Sequence, residues 1–272
     1  MQFRLITWNI NSVRRRIDLL KELTEQYQPD VVCLQEIKCL EDQFPLKAVR
    51  AMGYDFVEIH GQKAYHGVAT LSKLPISALE RVDFNGTEEA RHLSVAVDIE
   101  GFDSELVVHN FYVPAGGDIP DIDANPKFAH KLNYLNGMTE YFSDLSAKSE
   151  NHMVLVGDLN VAPLEQDVWS HRQMLKVVSH TPIEVEHFDR VQNSHEWVDI
   201  MRQHVPEEEK LYTWWSYRSR DWRASNRGRR LDHVWVTPSL SQTATRMIVG
   251  DEVRGWDAAS DHAPVIVDFD LN

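Results

Sequence analysis

Cysteine is scarce. Cys33 and Cys39 are the only two in 272 residues, too few for a disulfide framework and without the spacing of a zinc site. A reducing cytoplasm is the expected setting. Long apolar runs are missing as well, since none approaches the ~20 residues that cross a bilayer. The chain enters the strand-like run Phe3 to Thr7 without a basic stretch followed by an apolar one, so neither secretion nor membrane insertion is expected. No low-complexity tract or interdomain linker interrupts the pattern, and residues 1–272 read as one expected domain, a monomer. Excess positive charge is the third absence. Against 42 Asp and Glu stand 28 Lys and Arg, a formal net charge of −14. That excludes a surface gripping nucleic acid all over, because phosphate binding draws its affinity from Lys and Arg.

What the chain does have is five short stretches ending in groups that bind metal or activate water. They are Trp8-Asn9-Ile10-Asn11, Leu34-Gln35-Glu36, Gly157-Asp158-Leu159-Asn160, Arg230-Leu231-Asp232-His233 and Ser260-Asp261-His262. Each follows or opens an apolar run that reads as a buried strand, so the polar groups are expected at one rim of a sheet core. Basic charge is concentrated elsewhere. Between Leu211 and Arg230, Arg218, Arg220, Arg223, Arg227, Arg229 and Arg230 face one acid, Asp221, and alternate with Tyr212, Trp214, Trp215, Tyr217 and Trp222. Arginines bind phosphates, and flat rings stack on bases or line an apolar pocket for a bare sugar.

Periodicity supplies the frame. Phe3 to Trp8 and Val31 to Leu34 read as buried strands around a helix in which Ile17, Leu20, Leu23 and Tyr27 share one face, a β-α-β opening. Pro45 to Met52 reads as a short helix. Tyr54 to Ile59, Gly67 to Ser72, Leu93 to Ile99 and Glu105 to Phe111 read as strands, the last two forming a hairpin about Gly101. Helical spacing returns over Pro126 to Leu145, and Met153 to Val156 forms a strand feeding Gly157-Asp158. Helices are expected at Ile183 to Val191 and His195 to His204, and strands at Tyr212 to Tyr217, Leu231 to Val236, Ala244 to Val249 and Pro264 to Phe269. Hairpins and β-α-β units together imply mixed sheets covered by helices.

Taken singly, each motif has an ordinary explanation. A carboxylate at a strand end caps a helix or meets an arginine, Asp158 with Asn160 makes an Asx turn, a histidine among 13 is structural, and a Trp-rich strand is core. Their company changes the reading. Asn9, Gln35-Glu36, Tyr112-Val113-Pro114, Gly157-Asp158-Leu159-Asn160, Arg230-Leu231-Asp232 and Ser260-Asp261-His262-Ala263-Pro264 resemble, in order and along nearly the whole chain, the exonuclease III class of the endonuclease/exonuclease/phosphatase superfamily.

The resemblance implies an α/β fold, a four-layer α/β sandwich of two packed mixed β-sheets flanked by helices. It implies a Mg2+-dependent DNA phosphodiesterase of base excision repair, cutting 5′ of abasic sites or trimming 3′ ends, with Mn2+ as a substitute ion. Glu36 would carry the metal with Asn9 and Asp261 in or near its shell, and Asp158 and Asn160 offer a second site; hard cations of this kind take oxygen ligands and keep several waters. Asp158 would orient or deprotonate the attacking water, Asn160 and Tyr112 would hold phosphate or leaving oxygens, and Asp232 would orient His262. Trp214 and Leu231 match the walls of a pocket for a flipped-out abasic sugar, and Asn226, Arg227, Trp222 and Arg229 are further candidate contacts to DNA. Arg229 departs from the family, which usually has an apolar or aromatic wall residue there. The acidity of the chain is a second departure. The loop Ala115 to Pro120 beside Tyr112 and the run Arg14-Arg15-Arg16 complete the list of candidates. Two rivals are a superfamily phosphodiesterase acting on RNA or phospholipid headgroups, and a non-catalytic RNA- or protein-binding regulator with the same fold.

Overall fold

In the computed structural model, residues 1–146, 152–219 and 221–271 are described, which leaves Arg220 of the basic segment outside. The chain opens as β1 (Gln2–Asn9), α1 (Ile17–Tyr27) and β2 (Val31–Gln35). The two strands run parallel with Asn9 opposite Gln35. Leu20 and Leu23 bury the inner face of α1, at the spacing that puts side chains on one side of a helix. After α2 (Leu46–Ala51), the strands β3 (Phe56–His60) and β4 (Val68–Ser72) pair antiparallel, and β4 joins β2.

A second sheet then begins with β5 (Ile76–Ala78), β6 (His92–Val97) and β7 (Leu106–Tyr112); α3 (Pro126–Ser146) crosses to β8 (His152–Asp158). β8 lies parallel to β7, with Tyr112 opposite Asp158. The chain continues through α4 (His171–Met174), α5 (Pro182–Asn193), β9 (Val198–Asp199), α6 (Ile200–His204), β10 (Trp214–Trp215), α7 (Trp222–Ser225) and β11 (Gly228–Arg229) to β12 (Asp232–Val236). β12 pairs antiparallel with β8, Asp232 opposite Asp158. Finally β13 (Ala244–Val249) and β14 (Val265–Asp270) return to the first sheet. Among the described residues the two six-stranded sheets have the orders β13-β14-β1-β2-β4-β3 and β5-β6-β7-β8-β12-β9.

Strand alternation builds the layers. Phe3, Leu5, Val31, Cys33, Val108, Val154, Val156, Val234, Val265 and Val267 fill the space between the sheets. Their neighbours Ile6, Trp8, Val32 and Leu34 pack outward with Leu20 and Leu23 of α1. On the other side Phe111, Leu155 and Trp235 pack with Tyr134, Leu135 and Met138 of α3 and Phe188 of α5. The result is a helix–sheet–sheet–helix sandwich, the four-layer architecture implied by the family resemblance. No helix among the described residues is long and apolar enough to cross a membrane.

Three expectations need correction. The strand β5 was not anticipated, being three residues long with two of them exposed. The expected helix His195 to His204 contains the strand β9, because Val198 and Asp199 pair with β12 and the helix proper starts only where Asp199 caps it by accepting from the Arg202 amide at 3.1 Å. The expected strand Tyr212 to Tyr217 is reduced to Trp214–Trp215, paired with Gly228–Arg229.

Candidate active site

The five polar stretches meet because β1, β2, β7 and β8 end where β12 and β14 begin. On each strand the alternation that points Leu5, Cys33, Val108, Val156 and Val234 into the inner core carries Asn9, Gln35, Asn110, Tyr112, Asp158 and Asp232 along the same face. Gly157 makes the closest approach possible. Its φ is +138°, and a Cβ there would lie 1.9 Å from the Phe111 carbonyl oxygen, so glycine alone lets β8 close on β7 and bring Asp158 beside Tyr112.

Beneath the site a polar bridge joins the sheets. Gln35 Nε2 donates to Asn110 Oδ1 at 2.7 Å and to Thr7 Oγ1 at 3.0 Å, and Asn110 Nδ2 donates to the Ala69 carbonyl at 3.0 Å. Above it, Asn9 Nδ2 donates to Asp158 Oδ2 at 2.8 Å and Glu36 Oε1 at 3.0 Å. The Tyr112 hydroxyl donates to the same Glu36 oxygen at 2.9 Å. Lys38 Nζ lies 2.7 Å from Glu36 Oε2 and donates to Asn11 Oδ1 at 2.6 Å. Asn11 Nδ2 donates to Asp261 Oδ1 at 3.1 Å, and the Trp214 indole donates to Asp261 Oδ2 at 3.0 Å.

The second unit is ionic. His262 Nδ1 is 2.8 Å from Asp232 Oδ2, and its Nε2 is 3.7 Å from Asp158 Oδ2. Its backbone is pinned by Trp8 Nε1 donating to its carbonyl at 3.0 Å and by the Ser260 hydroxyl, which accepts from the His262 amide and donates to the Asn9 carbonyl. Burial alone would discharge this imidazole, but Asp232 and Asp158 outweigh it and carry its pKa up to about 10. For Asp158, burial and the charges of Asp232 and Glu36 raise the carboxyl pKa against the opposing pull of His262 and Asn9. Burial also opposes the charge on Glu36, yet Lys38, followed by the hydrogen bond from Asn9, holds its carboxyl below the ordinary value. Tyr112 is pushed upward by burial and by Glu36 and Asp158, which keeps its hydroxyl a donor.

This donor set fits a hard cation. Glu36, Asp158 and Asp232 converge, and Asp232 Oδ1 is buried without a hydrogen-bond partner, an acceptor left short of positive charge. Ligand atoms of Asp158, Asp232 and His262 fall within 4.8 Å of one another. The carboxylate oxygens of Glu36 and Asp158, both held by Asn9, could also take part in seating such a cation.

A cavity of about 580 Å³ opens from Glu36, Asp158 and His262 towards Trp214, Arg227, Arg229 and Leu231. Of the candidate DNA contacts, Trp222 and Asn226 are not brought there. Trp222 packs on Trp215 with ring centres 5.0 Å apart, and Asn226 Oδ1 accepts from the Trp215 indole at 3.1 Å. Asn160 Nδ2 is committed to the Val113 carbonyl at 2.9 Å. Sequence reasoning passed over Lys38, whose place two residues beyond Glu36 was the available signal. It also missed Asn110, an amide in a fully buried strand, and Lys131, a fully buried lysine on α3 that donates to the Asn160 carbonyl at 2.7 Å and pairs with Glu184. Trp169 on the cavity wall carried no signal at all.

Comparison with known proteins places this geometry in context. The family model described as Endonuclease/Exonuclease/phosphatase family matches residues 6–262. Exodeoxyribonuclease III of Haemophilus influenzae is 30% identical over 272 residues, spanning 98% of this chain and 99% of the relative. Exodeoxyribonuclease of Bacillus subtilis is 29% identical over 96% of this chain and 97% of its own. Among solved structures, an AP endonuclease from Archaeoglobus fulgidus superposes with a TM-score of 0.87 at 27% identity, covering 99% of this chain and 100% of that one. The 3′ phosphatase NExo from Neisseria, bound to a product DNA hairpin, gives 0.85 at 28% identity over 98% and 99%.

Proposed function

The chain belongs to the endonuclease/exonuclease/phosphatase family, and from that premise we propose that it is a Mg2+-dependent DNA phosphodiesterase of base excision repair. It cuts on the 5′ side of abasic sites, leaving a 3′-hydroxyl, and trims DNA 3′ ends as an exonuclease and phosphatase. Residues 1–272 act as one catalytic domain, as a monomer in the cytoplasm. The observation that carries the reading is convergence: Asn9 bridges Glu36 and Asp158, while His262 sits between Asp158 and Asp232, and Glu36, Asp158 and His262 line one cavity. A binding module has no use for clustered acids that repel phosphate unless a cation accompanies them.

Glu36, with Asn9 and Asp261 nearby, would hold Mg2+, Mn2+ being a substitute, and Asp158 and Asn160 would offer a second position. When bound, the ion neutralises charge on the phosphate as a Lewis acid. The protein does the rest. Asp158 orients the attacking water and takes its proton. His262, kept cationic by Asp232, clamps a non-bridging phosphate oxygen, and the Tyr112 hydroxyl donates to the phosphate or leaving oxygen. Charge stabilisation and alignment account for most of the acceleration.

The test is product analysis of a 5′-labelled duplex with one central abasic site, with magnesium and with chelator. One discrete magnesium-dependent band marks incision, and a ladder marks trimming. Magnesium-dependent turnover of RNA or phospholipid headgroups but not DNA would replace this reading by the first rival, and no turnover at all by the second.

A further inference from the structure

Two ion pairs among the described residues have both side chains fully shut away from solvent, Arg230 with Asp167 and Lys131 with Glu184. The side chain of Arg230 donates to the carboxylates of Asp167 and Asp199. Lys131 instead divides its ammonium between Glu184 and the carbonyl of Asn160, 2.7 Å away in the candidate site. An apolar pair of similar volume often serves stability as well as a buried ion pair, or better. What this pair touches therefore matters more than its burial.

On the acidic side it holds the cavity wall. Thr181 and Glu184 form the capping box of α5, the Glu184 carboxylate accepting from the Thr181 amide at 3.2 Å. The same carboxylate accepts from the Thr181 hydroxyl at 2.7 Å and from the Ser179 amide, 2.9 Å from each oxygen. Ser179 lines the cavity with a φ of +87°, a conformation that a residue other than glycine keeps only where its surroundings enforce it.

On the basic side it holds the turn after Asp158. Asn160 has a φ of +55°, its amide donates to Asp158 Oδ1 at 3.1 Å, and its side chain donates to the Val113 carbonyl. Among the described residues no backbone amide donates to the Asn160 carbonyl, which leaves Lys131 as its partner. The lysine stem supports a third segment. A Cβ on Gly116 would lie 2.9 Å from Lys131 Cδ, and Ala115, Gly117 and Asp118 beside it line the cavity.

We propose that Lys131 and Glu184 are positioning residues for the hydrolytic step, tying the Asn160 turn to the Ser179 wall and so fixing the Asp158 carboxylate that directs the attacking water. The inference rests on the DNA phosphodiesterase reading. Asp158 is held at Oδ2 by Asn9, 2.8 Å away, and at Oδ1 by the Asn160 amide. When the turn loosens, the first contact remains and the second does not, so the carboxylate swings about its remaining hydrogen bond. The water is then misplaced while DNA still binds, which lowers the rate of the step and not the affinity.

Lys131→Met alone would strand a buried carboxylate, a penalty of its own. The decisive variant is therefore Lys131→Met/Glu184→Gln, which removes both charges and keeps an acceptor for Ser179. The full-length protein with magnesium would be followed in single turnovers on a duplex carrying one abasic site, together with thermal melting and amide hydrogen exchange. We expect the saturating rate to fall by about ten- to a hundredfold while the half-saturating enzyme concentration stays within about twofold. Exchange should quicken at the Asn160 amide and not in β1 or β14. Glu184→Gln alone leaves Lys131 able to donate, should show a smaller fall at unchanged affinity, and decides the question should the double variant fail to fold. An unchanged rate in the deciding variant, weaker binding at an unchanged rate, or faster exchange throughout both sheets overturns the inference while wild-type incision continues. A wild-type protein that leaves both abasic duplex and DNA 3′ ends untouched overturns the underlying reading and the inference with it.

Discussion

His262 and His233 are both shut away from solvent, and both adjoin Asp232, one through a hydrogen bond and the other through a peptide bond. They titrate in opposite directions. His233 lies on the outer face of β12 against Phe188 and Trp235, its Nε2 on the Val161 carbonyl at 2.8 Å. Burial, reinforced by Arg230, pushes its pKa down to about 3. His262, on the inner side, meets Asp232 and Asp158 and goes up to about 10. Desolvation therefore discharges a histidine by default, and two carboxylates reverse the outcome. The reactive end of this sandwich is marked by concentrated acid, and His262 and Lys38 are the fixed cations that make the concentration tolerable.

The most severe test removes the acids themselves. Asp158→Asn and Glu36→Gln should each raise the barrier by roughly 3–4 kcal/mol, as for loss of one oriented catalytic group, with melting temperatures close to wild type because like-charge crowding is relieved. Single-turnover incision of abasic duplex checks this, and near-normal rates in Asp158→Asn would dissolve the contrast between the two ends. Asp232→Asn comes next. It removes one of the two carboxylates that hold the proton on His262 and should lower kcat/KM by about two orders of magnitude. The deficit should widen from pH 6 to pH 9, because wild-type His262 stays charged over that range while in the variant Asp158 alone supports the charge and the proton is lost within it. Parallel pH profiles would show that Asp232 acts only by packing.

The acid end of the stability curve probes the dry side. His109 is lowered to about 3 and His92 well below its ordinary value by burial, in company with His233. A histidine of the unfolded chain takes its proton near pH 6.5 (about the free value), and these do not until far lower. Their contribution is complete above about pH 6.5 and is lost as the pH falls towards 3. Each gives a slope of about 1.4 kcal/mol per pH unit in that window, His66, lowered to about 4 by burial and Arg91, adds in the same sense, and Asp158, raised on folding, titrates in the opposite sense. Urea midpoints at pH 7, 6 and 5 measure the slope. His262 contributes in the separate window from about 6.5 to 10, where its stabilisation declines as pH rises. A flat acid limb would mean that the outer histidines accept protons without unfolding.

How legible this was depended on the range of the signal. Alternation in β1, β2, β7, β8 and β12, with the helical faces of α1 and α3, is local, and it carried the mixed sheets and the common rim where Asn9, Glu36, Tyr112, Asp158, Asp232 and His262 meet. What escaped is set by distant pairing. Val198 and Asp199 are a strand only because β12 passes beside them, and Trp222 leaves the cavity only because Trp215 and Arg254 offer it a better surface. Lys131 looks like an ordinary exposed helix lysine until Glu184, 53 residues away, and the Asn160 carbonyl receive it in the interior. The Arg–Trp segment was visible as composition, while the stacking of Arg229 on Trp214 and of Arg227 on Trp169 needed coordinates.

The smallest effect makes the finest comparison, between two buried tyrosines. Tyr112 donates to Glu36 at 2.9 Å, whereas the Tyr134 hydroxyl is buried with no hydrogen-bond partner. Burial raises the pKa of both, so both keep their protons and differ only in what those protons meet. Tyr112→Phe removes a charge-assisted hydrogen bond of about 1.5–3 kcal/mol; part of that is recovered because Asn9 and Lys38 still satisfy Glu36, so a roughly tenfold fall in kcat is expected. Tyr134→Phe removes a polar atom that paid desolvation for nothing, and should leave kcat unchanged with stability equal or slightly higher. Equal losses of activity in the two variants would mean that Tyr112 acts by filling space, and the hydrogen-bond network around Glu36 would then have no claim on the phosphate.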